Sequence, residues 1–128
     1  MIQTRPKSLS EVAKRVLDGA LFRLELADFL DEFYATPSET AIREAPLRMK
    51  GIIERGHEKD GYLAAVAEHL GRQYQFTIGE WAFSSDLSLD KPSFAYQSRA
   101  GRIFLLRDSP PAFKARNLFV TANVLTRV

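Results

Sequence analysis

Apolar side chains recur at helical spacing in the first third of the chain. The segment Ser8-Leu-Ser-Glu11 has the form of a capping box, which satisfies free backbone amides at the start of a helix. The apolar residues that follow at helical spacing are Leu9, Val12, Ala13, Val16, Leu17 and Ala20. Beyond Gly19 the stripe changes face and continues as Phe22, Leu26, Phe29, Leu30 and Phe33. The pattern predicts two helices, or one helix that bends at Gly19.

A second capping-box pattern, Thr36-Pro-Ser-Glu39, indicates another helix start, with Pro37 in the first helical turn where proline is favoured. Proline cannot continue a helix, so this short helix is expected to end or kink at Pro46. A further helical segment is expected over residues 47–55 and should stop at Gly56.

The clearest helix follows. Asp60 is its predicted N-cap, and its apolar residues are Leu63, Val66, Ala67, Leu70 and Tyr74. Thr77-Ile-Gly-Glu80 is a third capping-box pattern and predicts a short helix that carries Trp81. Residues 84–92 have the composition of a loop.

Residues 94–107 are apolar nearly all round, which predicts a central buried helix, although residues 103–106 could instead form a short buried strand. Ser109-Pro110 is expected to cap one last helical turn. Beyond Asn117 an alternation favours an extended segment: Val120, Ala122, Val124, Thr126 and Val128. If exposed, the apolar residues near this end would form a patch that soluble monomers avoid. Five of them are therefore predicted to dock into the core: Leu118, Phe119, Val120, Val124 and Leu125.

Together these elements predict a single, mainly α domain over residues 1–128. We expect a bundle of about six helices with a short extended or irregular C-terminal segment. The 128 residues include no cysteine, which excludes disulfides and cysteine-based metal sites. No signal segment opens the chain and no apolar run is long enough to span a membrane, so we expect a cytoplasmic protein.

A segment that resembles a bacterial helix-turn-helix lies in the middle of the chain. Ala67 and Gly71 have the required separation, but Ile78 falls one residue late. The candidate DNA contacts are Gln73, Gln75 and Thr77. The would-be recognition helix over residues 78–85 contains no Lys or Arg, which groove-binding helices normally use to contact phosphates. Two packed helices around Trp81 explain the segment better.

Candidates for a metal or acid–base site are His57, Glu58, Asp60 and His69. Metal sites need three or four convergent ligands, and adjacent residues do not share a helix face. Glycine-rich phosphate loops are absent, and two histidines do not define a catalytic triad. The sequence therefore predicts no metal, no cofactor and no catalytic residues.

Charge is unevenly placed along the chain. Residues 72–128 hold eight basic and four acidic side chains, whereas residues 1–71 hold ten basic and twelve acidic ones. Two interpretations follow. In the first, the aliphatic parts of Arg99, Arg102 and Arg107 pack along an apolar helix. Their guanidinium groups then lie in solvent or pair with four acidic residues: Glu25, Asp28, Asp31 and Glu32. Alternatively they form a docking surface, because arginine and aromatic residues are enriched in interfaces. The candidate surface residues are Arg99, Arg102, Arg107, Phe113, Lys114, Arg116, Asn117 and Arg127.

Three stretches resemble a family of uncharacterised small bacterial proteins: FLDEFY (residues 29–34), GYLAAVAEHLGRQY (residues 61–74) and SPPAFKARNLFVTANVLTRV (residues 109–128). The last matches a P-A-F-basic-x-R-N-x-F-V-x-x-N-x-L-x-R pattern. The matching residues are Pro111, Ala112, Phe113, Lys114, Arg116, Asn117, Phe119, Val120, Asn123, Leu125 and Arg127. The resemblance implies a gene pair with a nucleotidyltransferase-like toxin, and hence an antitoxin or accessory role.

The function expected from these observations is that of a non-enzymatic interaction protein that binds another protein. The alternative is a nucleic-acid-binding regulator that uses the basic C-terminal surface or a degenerate helix-turn-helix. Such binding would be weak and not sequence-specific.

Overall fold

The longest helix, α4 (Gly56–Tyr74), lies at the centre of the fold. The computed structural model describes residues 4–127. The other α-helices in these residues are α1 (Leu9–Leu17), α2 (Phe22–Ala35), α3 (Thr40–Arg43), α5 (Arg99–Asp108) and α6 (Pro111–Lys114). Two 3₁₀ helices (Glu80–Phe83 and Ser85–Leu87) and two short strands, β1 (Ser93–Phe94) and β2 (Leu118–Phe119), complete them. The prediction of a mainly α domain with about six helices is confirmed.

Helix α4 is buried on nearly every side, since consecutive residues from Leu63 to Ala67 are fully or almost fully enclosed. Its small residues let the neighbouring elements approach closely. An added Cβ at Gly56 would collide with the backbone of Met49, so only glycine fits there. None of the helices within residues 4–127 combines the length and the apolarity needed to cross a membrane.

The two N-terminal helices form as predicted. The Ser8 hydroxyl accepts a hydrogen bond from the Glu11 amide at 3.1 Å, which is one half of the capping box. Gly19, at φ +110°, separates α1 from α2, so the alternative of one bent helix is wrong. The apolar stripes of the two helices are buried against each other and against α4: Leu9, Val12, Val16, Leu26, Phe29, Leu30 and Phe33.

Residues 36–60 differ from the prediction. Pro37 lies before α3, which starts only at Thr40, and the predicted helix over residues 47–55 is a series of turns. Gly56 starts a helix and does not end one. The physical reason is Asp60, which lies inside α4 and does not cap it. Its buried carboxylate accepts the amides of Met49 at 2.8 Å and Lys50 at 3.0 Å, which replaces the hydrogen bonds of a helix.

The C-terminal segment packs into the core, as predicted. Leu118, Phe119, Val120 and Leu125 are buried and Val124 is half-buried. The extended part is shorter than predicted, because only β2 pairs, in parallel with β1, with Ser93 opposite Leu118. Val128, the last residue of the predicted alternation, lies outside the described residues.

Ser109 has a different role from the predicted helix cap. Pro110 is the N-cap of α6, while the buried Ser109 hydroxyl accepts the Val120 amide at 2.8 Å. The same hydroxyl lies within hydrogen-bond distance of the carbonyls of Leu105 and Val120, to one of which it donates. It therefore ties the end of α5 to the residue that follows β2.

A buried ion pair joins α6 to α4. Arg116 is 4 % exposed, and one guanidinium nitrogen donates to Glu68 Oε1 and to the Ala112 carbonyl, both at 2.7 Å. Its other terminal nitrogen donates to the Ala82 carbonyl at 2.6 Å. Burial alone would raise the pKa of Glu68, but hydrogen bonds from Arg116 and Arg72 outweigh burial and lower it. The prediction that Arg116 belongs to an exposed surface is wrong, because its guanidinium is enclosed and binds Glu68 from the inside of the fold.

Deletion of residues 118–128 should abolish cooperative folding. It removes four buried apolar side chains, and truncating even one such side chain costs about 2–5 kcal/mol of a total stability of about 5–15 kcal/mol. Circular dichroism during heating, with size-exclusion chromatography, measures the outcome. The control variant, Ala122→Ser with Asn123→Ser, changes only exposed positions and should melt like the parent protein. A cooperative transition in the deleted protein would show that these side chains are not needed for the core.

The Glu68 pKa predicts a loss of stability in acid. Because its pKa is lower in the folded chain than in the unfolded chain, the unfolded chain binds the proton more readily. The stabilisation by Glu68 is therefore complete above its ordinary pKa of 4.5 and is lost as the pH falls through the lower folded pKa. Glu68→Gln should cost about 3–5 kcal/mol at neutral pH, because Arg116 is left unpaired. It should also show a shallower decline below about pH 5.

Urea denaturation across this pH range measures both effects. Glu44→Gln, which changes an exposed carboxylate, is the matched control. Should Glu68→Gln be too unstable for measurement, the double variant Glu68→Met with Arg116→Met removes both charges and should recover most of the loss. Equal stability of Glu68→Gln and the parent protein at neutral pH would contradict the role of the pair.

Candidate interaction surface

Helix α5 lies on the outside of the molecule. Ser98 caps it by accepting the Gly101 amide at 3.0 Å, and Leu105 is its only buried residue. The predictions of a central buried helix and of a strand over residues 103–106 are both wrong. Ile103 is 52 % exposed, Phe104 is 49 % exposed and Leu106 is 48 % exposed.

The reason was visible in the spacing of the arginines. Ile103 lies four residues from both Arg99 and Arg107, and Leu106 lies four residues from Arg102. Residues four apart share a helix side, so these apolar side chains face the same way as the charges. We call this region the α5 surface. It consists of Tyr96, Arg99, Arg102, Ile103, Phe104, Leu106 and Arg107, all of which are exposed.

The three arginines of the α5 surface form no ion pair with any carboxylate of residues 4–127. Arg102 lies over the Phe94 ring, 5.4 Å from its centroid, and donates to the Gln97 side chain at 3.1 Å. The predicted pairing of these arginines with the acidic residues of α2 is wrong, since the carboxylates that pair there do so with other cations. The positive charge of the α5 surface is therefore not compensated by those residues.

Two other predicted surface cations lie in different places. Lys114 is half-buried and donates to the Arg107 carbonyl at 3.1 Å, so it adjoins the C-terminal end of α5. Arg127 instead binds α2 through two hydrogen bonds to Asp31, at 2.9 and 3.2 Å. The hydrogen bonds from Arg127 hold the pKa of Asp31 below its ordinary value. Arg127, which was predicted to belong to a docking surface, therefore pairs with the acidic helix α2.

Phe113 and Asn117 are structural residues and not parts of a surface. Phe113 is fully buried and packs edge-on against Tyr62, with 4.9 Å between the ring centroids. Asn117 adopts φ +63°, a left-handed conformation that asparagine tolerates, and its side-chain amide donates to the Leu89 carbonyl at 2.9 Å. This turn directs the chain from α6 into β2.

The helix-turn-helix has no counterpart in the structure. Gln73 and Gln75 are exposed at the end of α4, and the Thr77 amide is held by Glu39 at 2.8 Å. The Thr77–Glu80 capping box does not form, because Gly79 precedes the next element without a side-chain cap. That element, Glu80–Phe83, is one turn of 3₁₀ helix, which is too short to lie along a DNA groove.

The candidate metal and acid–base residues point to separate partners. His57 Nε2 lies 2.8 Å from the Asp86 carbonyl, while Glu58 pairs with Arg55 at 2.6 Å and accepts from the Ser93 hydroxyl. Asp60 binds two backbone amides, as described above. His69 is half-buried, and burial lowers its pKa. Within residues 4–127 no three histidine or acidic side chains converge on one point.

Comparison with protein-family models, with curated proteins and with solved structures gives no match for this chain. A function is therefore inferred from the side chains of the chain itself. The α5 surface contains four of the nine exposed large apolar side chains within residues 4–127, next to three arginines that form no ion pair there.

Proposed function

We propose that the chain is a non-enzymatic interaction protein that binds a partner protein through the α5 surface. One observation carries the proposal: three large apolar side chains on α5 are about half exposed and lie among three exposed arginines. Contiguous exposed apolar residues mark interaction sites in soluble proteins. Arginine and aromatic residues are also the types that interface centres favour.

The chemistry of the surface defines a complementary partner. Ile103 and Leu106 form an apolar ridge, and the arginines on either side of it can donate two hydrogen bonds each to a carboxylate. A partner would present an apolar groove bordered by Asp and Glu. The resemblance of residues 109–128 to the bacterial family supports a toxin of the same gene pair as that partner, with this chain in an antitoxin or accessory role.

The alternative, nucleic-acid binding, relies on the arginines alone. A phosphate backbone gains nothing from half-exposed Ile103 and Leu106, whereas a protein groove gains their burial. The apolar ridge is therefore the feature that favours a protein partner.

Substitution of the ridge should weaken partner binding without unfolding the protein. The variant carries Ile103→Ser and Leu106→Ser, and the matched control carries Leu21→Ser and Leu24→Ser, which are equally exposed on and beside α2. Tagged proteins are purified from the native host, and the recovered partner is then titrated against each variant by calorimetry. Loss of two interface side chains should raise Kd at least about tenfold, and the control should bind like the parent protein.

Two outcomes would contradict the proposal. One is an unchanged Kd for the ridge variant whose melting temperature matches that of the parent. The other is recovery of nucleic acid in place of protein, with binding lost on replacement of the three arginines by Ser but kept by the ridge variant. The latter result would establish the nucleic-acid alternative.

A further inference from the structure

Two adjoining cavities form a trough beside the paired strands. The first has a volume of about 320 Å³ and lies between the N-terminal half of α4, the start of α2 and β2. The second, of about 430 Å³, lies between α4 and the loop before α5. Both are lined by Arg55, Glu58, Ser93 and Phe94, so the two cavities meet at these four residues. Arg102 is the one residue of the α5 surface that lines either cavity.

The first cavity is lined mainly by apolar and aromatic side chains. Phe22 meets Tyr62 edge-on with 5.7 Å between centroids, and Phe94 stacks on Phe119 at 4.9 Å. Val120 and Val124 add to the apolar lining. The charged residues Arg55, Glu58 and Lys59 also border this cavity. Its volume is at the low end of the range of about 300–1,000 Å³ that is typical of small-molecule sites.

Tyr62 supplies a polar group to this cavity. Burial raises the pKa of Tyr62 to about 12, so its hydroxyl stays protonated at neutral pH and acts as a hydrogen-bond donor. An apolar cavity with a small number of oriented polar groups is the usual design of a ligand site.

The second cavity is cationic. Its basic residues are Arg55, Lys91 and Arg102, and its only carboxylate belongs to Glu58. That carboxylate is already neutralised by Arg55 and accepts the Ser93 hydroxyl. Lys91 forms no ion pair with residues 4–127, and Arg102 contacts only the Phe94 ring and Gln97 among the groups described above. Two positive charges therefore face this cavity without a compensating carboxylate.

We propose that the trough binds a small apolar carboxylate. Its apolar body would fill the cavity beside Tyr62, and its carboxylate would lie between Lys91 and Arg102. A neutral apolar molecule would leave both cations unpaired, and a cationic amphiphile would be repelled by them. The volume of the first cavity limits the body to an acyl chain of medium length or a small aromatic system.

Calorimetry with decanoate tests the proposal on the full chain, with 1-naphthoate as a second probe for an aromatic body. Decyltrimethylammonium, which has the same chain length and the opposite charge, is the matched control. We expect at least one of the carboxylates to bind saturably with one site per chain. Decyltrimethylammonium should bind at least about tenfold more weakly, because it loses a charge-assisted hydrogen bond and meets like charge. Binding of decanoate would indicate a ligand with an acyl chain, and binding of 1-naphthoate would indicate a ligand with an aromatic ring system.

Variants connect binding to the trough. Lys91→Ser should weaken the bound carboxylate by about tenfold, and Val124→Trp should abolish its binding by filling the apolar cavity. Lys7→Ser, an exposed lysine outside both cavities, should leave binding unchanged. Melting temperatures confirm that each variant is folded, and should Val124→Trp fail to fold, Lys91→Ser alone decides.

The proposal is overturned if neither carboxylate binds saturably, if the ammonium control binds as tightly, or if Lys91→Ser has no effect. The Ile103→Ser, Leu106→Ser ridge variant should bind the carboxylate like the parent protein. Failure of the trough and failure of the α5 surface are therefore distinguishable.

Discussion

The buried ion pair between Arg116 and Glu68 is the constraint on which the position of the C-terminal segment depends. A carboxylate in the middle of the central helix cannot stay ionised in the core without a cation beside it. Arg72 pairs with it from the surface, and Arg116 pairs with it from the inside and at the same time binds the carbonyls of Ala112 and Ala82. One guanidinium thus fixes α4, α6 and the 3₁₀ turn that carries Ala82 relative to one another. The identity and direction of the side chain matter here more than its net contribution to stability.

The exposure of α5 follows from this arrangement. Phe113, Leu118 and Val120 belong to the hydrophobic core cluster. In contrast, α5 buries only Leu105, and the Ser109 hydroxyl ties its end to Val120. The other large apolar side chains of α5 stay about half exposed. The same packing places β2 beside α4 and leaves the trough open next to it. The two regions proposed to bind other molecules are therefore consequences of how one segment fills the centre.

Local patterns predicted the helices well and the roles of single polar residues poorly. The roles of Ser8 and Gly19 and of the apolar stripes of α1 and α2 depend on residues nearby in the sequence. All of these roles were predicted correctly. Asp60, Ser109 and Arg116 were not, because their partners are 10, 11 and 48 residues away in the sequence. The same residue type can cap a helix or bind a distant backbone amide, and the sequence alone does not distinguish these two roles. On α5, the shared helix side of the arginines and Ile103 was a sequence signal for exposure, and the apolar composition concealed it.

The pairing of Glu68 with Arg116 also imposes an order on folding during synthesis. When α4 leaves the ribosome, Arg72 of the same helix can already pair with Glu68, but Arg116 and the core residues Phe113, Leu118 and Leu125 have not yet been made. The Tyr34 hydroxyl must wait for the Leu125 carbonyl, 91 residues later. Until then one side of Glu68 and part of the apolar surface of α4 are open to solvent. Contacts of such long sequence separation form slowly, so the nascent chain depends on the late arrival of a few residues to escape aggregation.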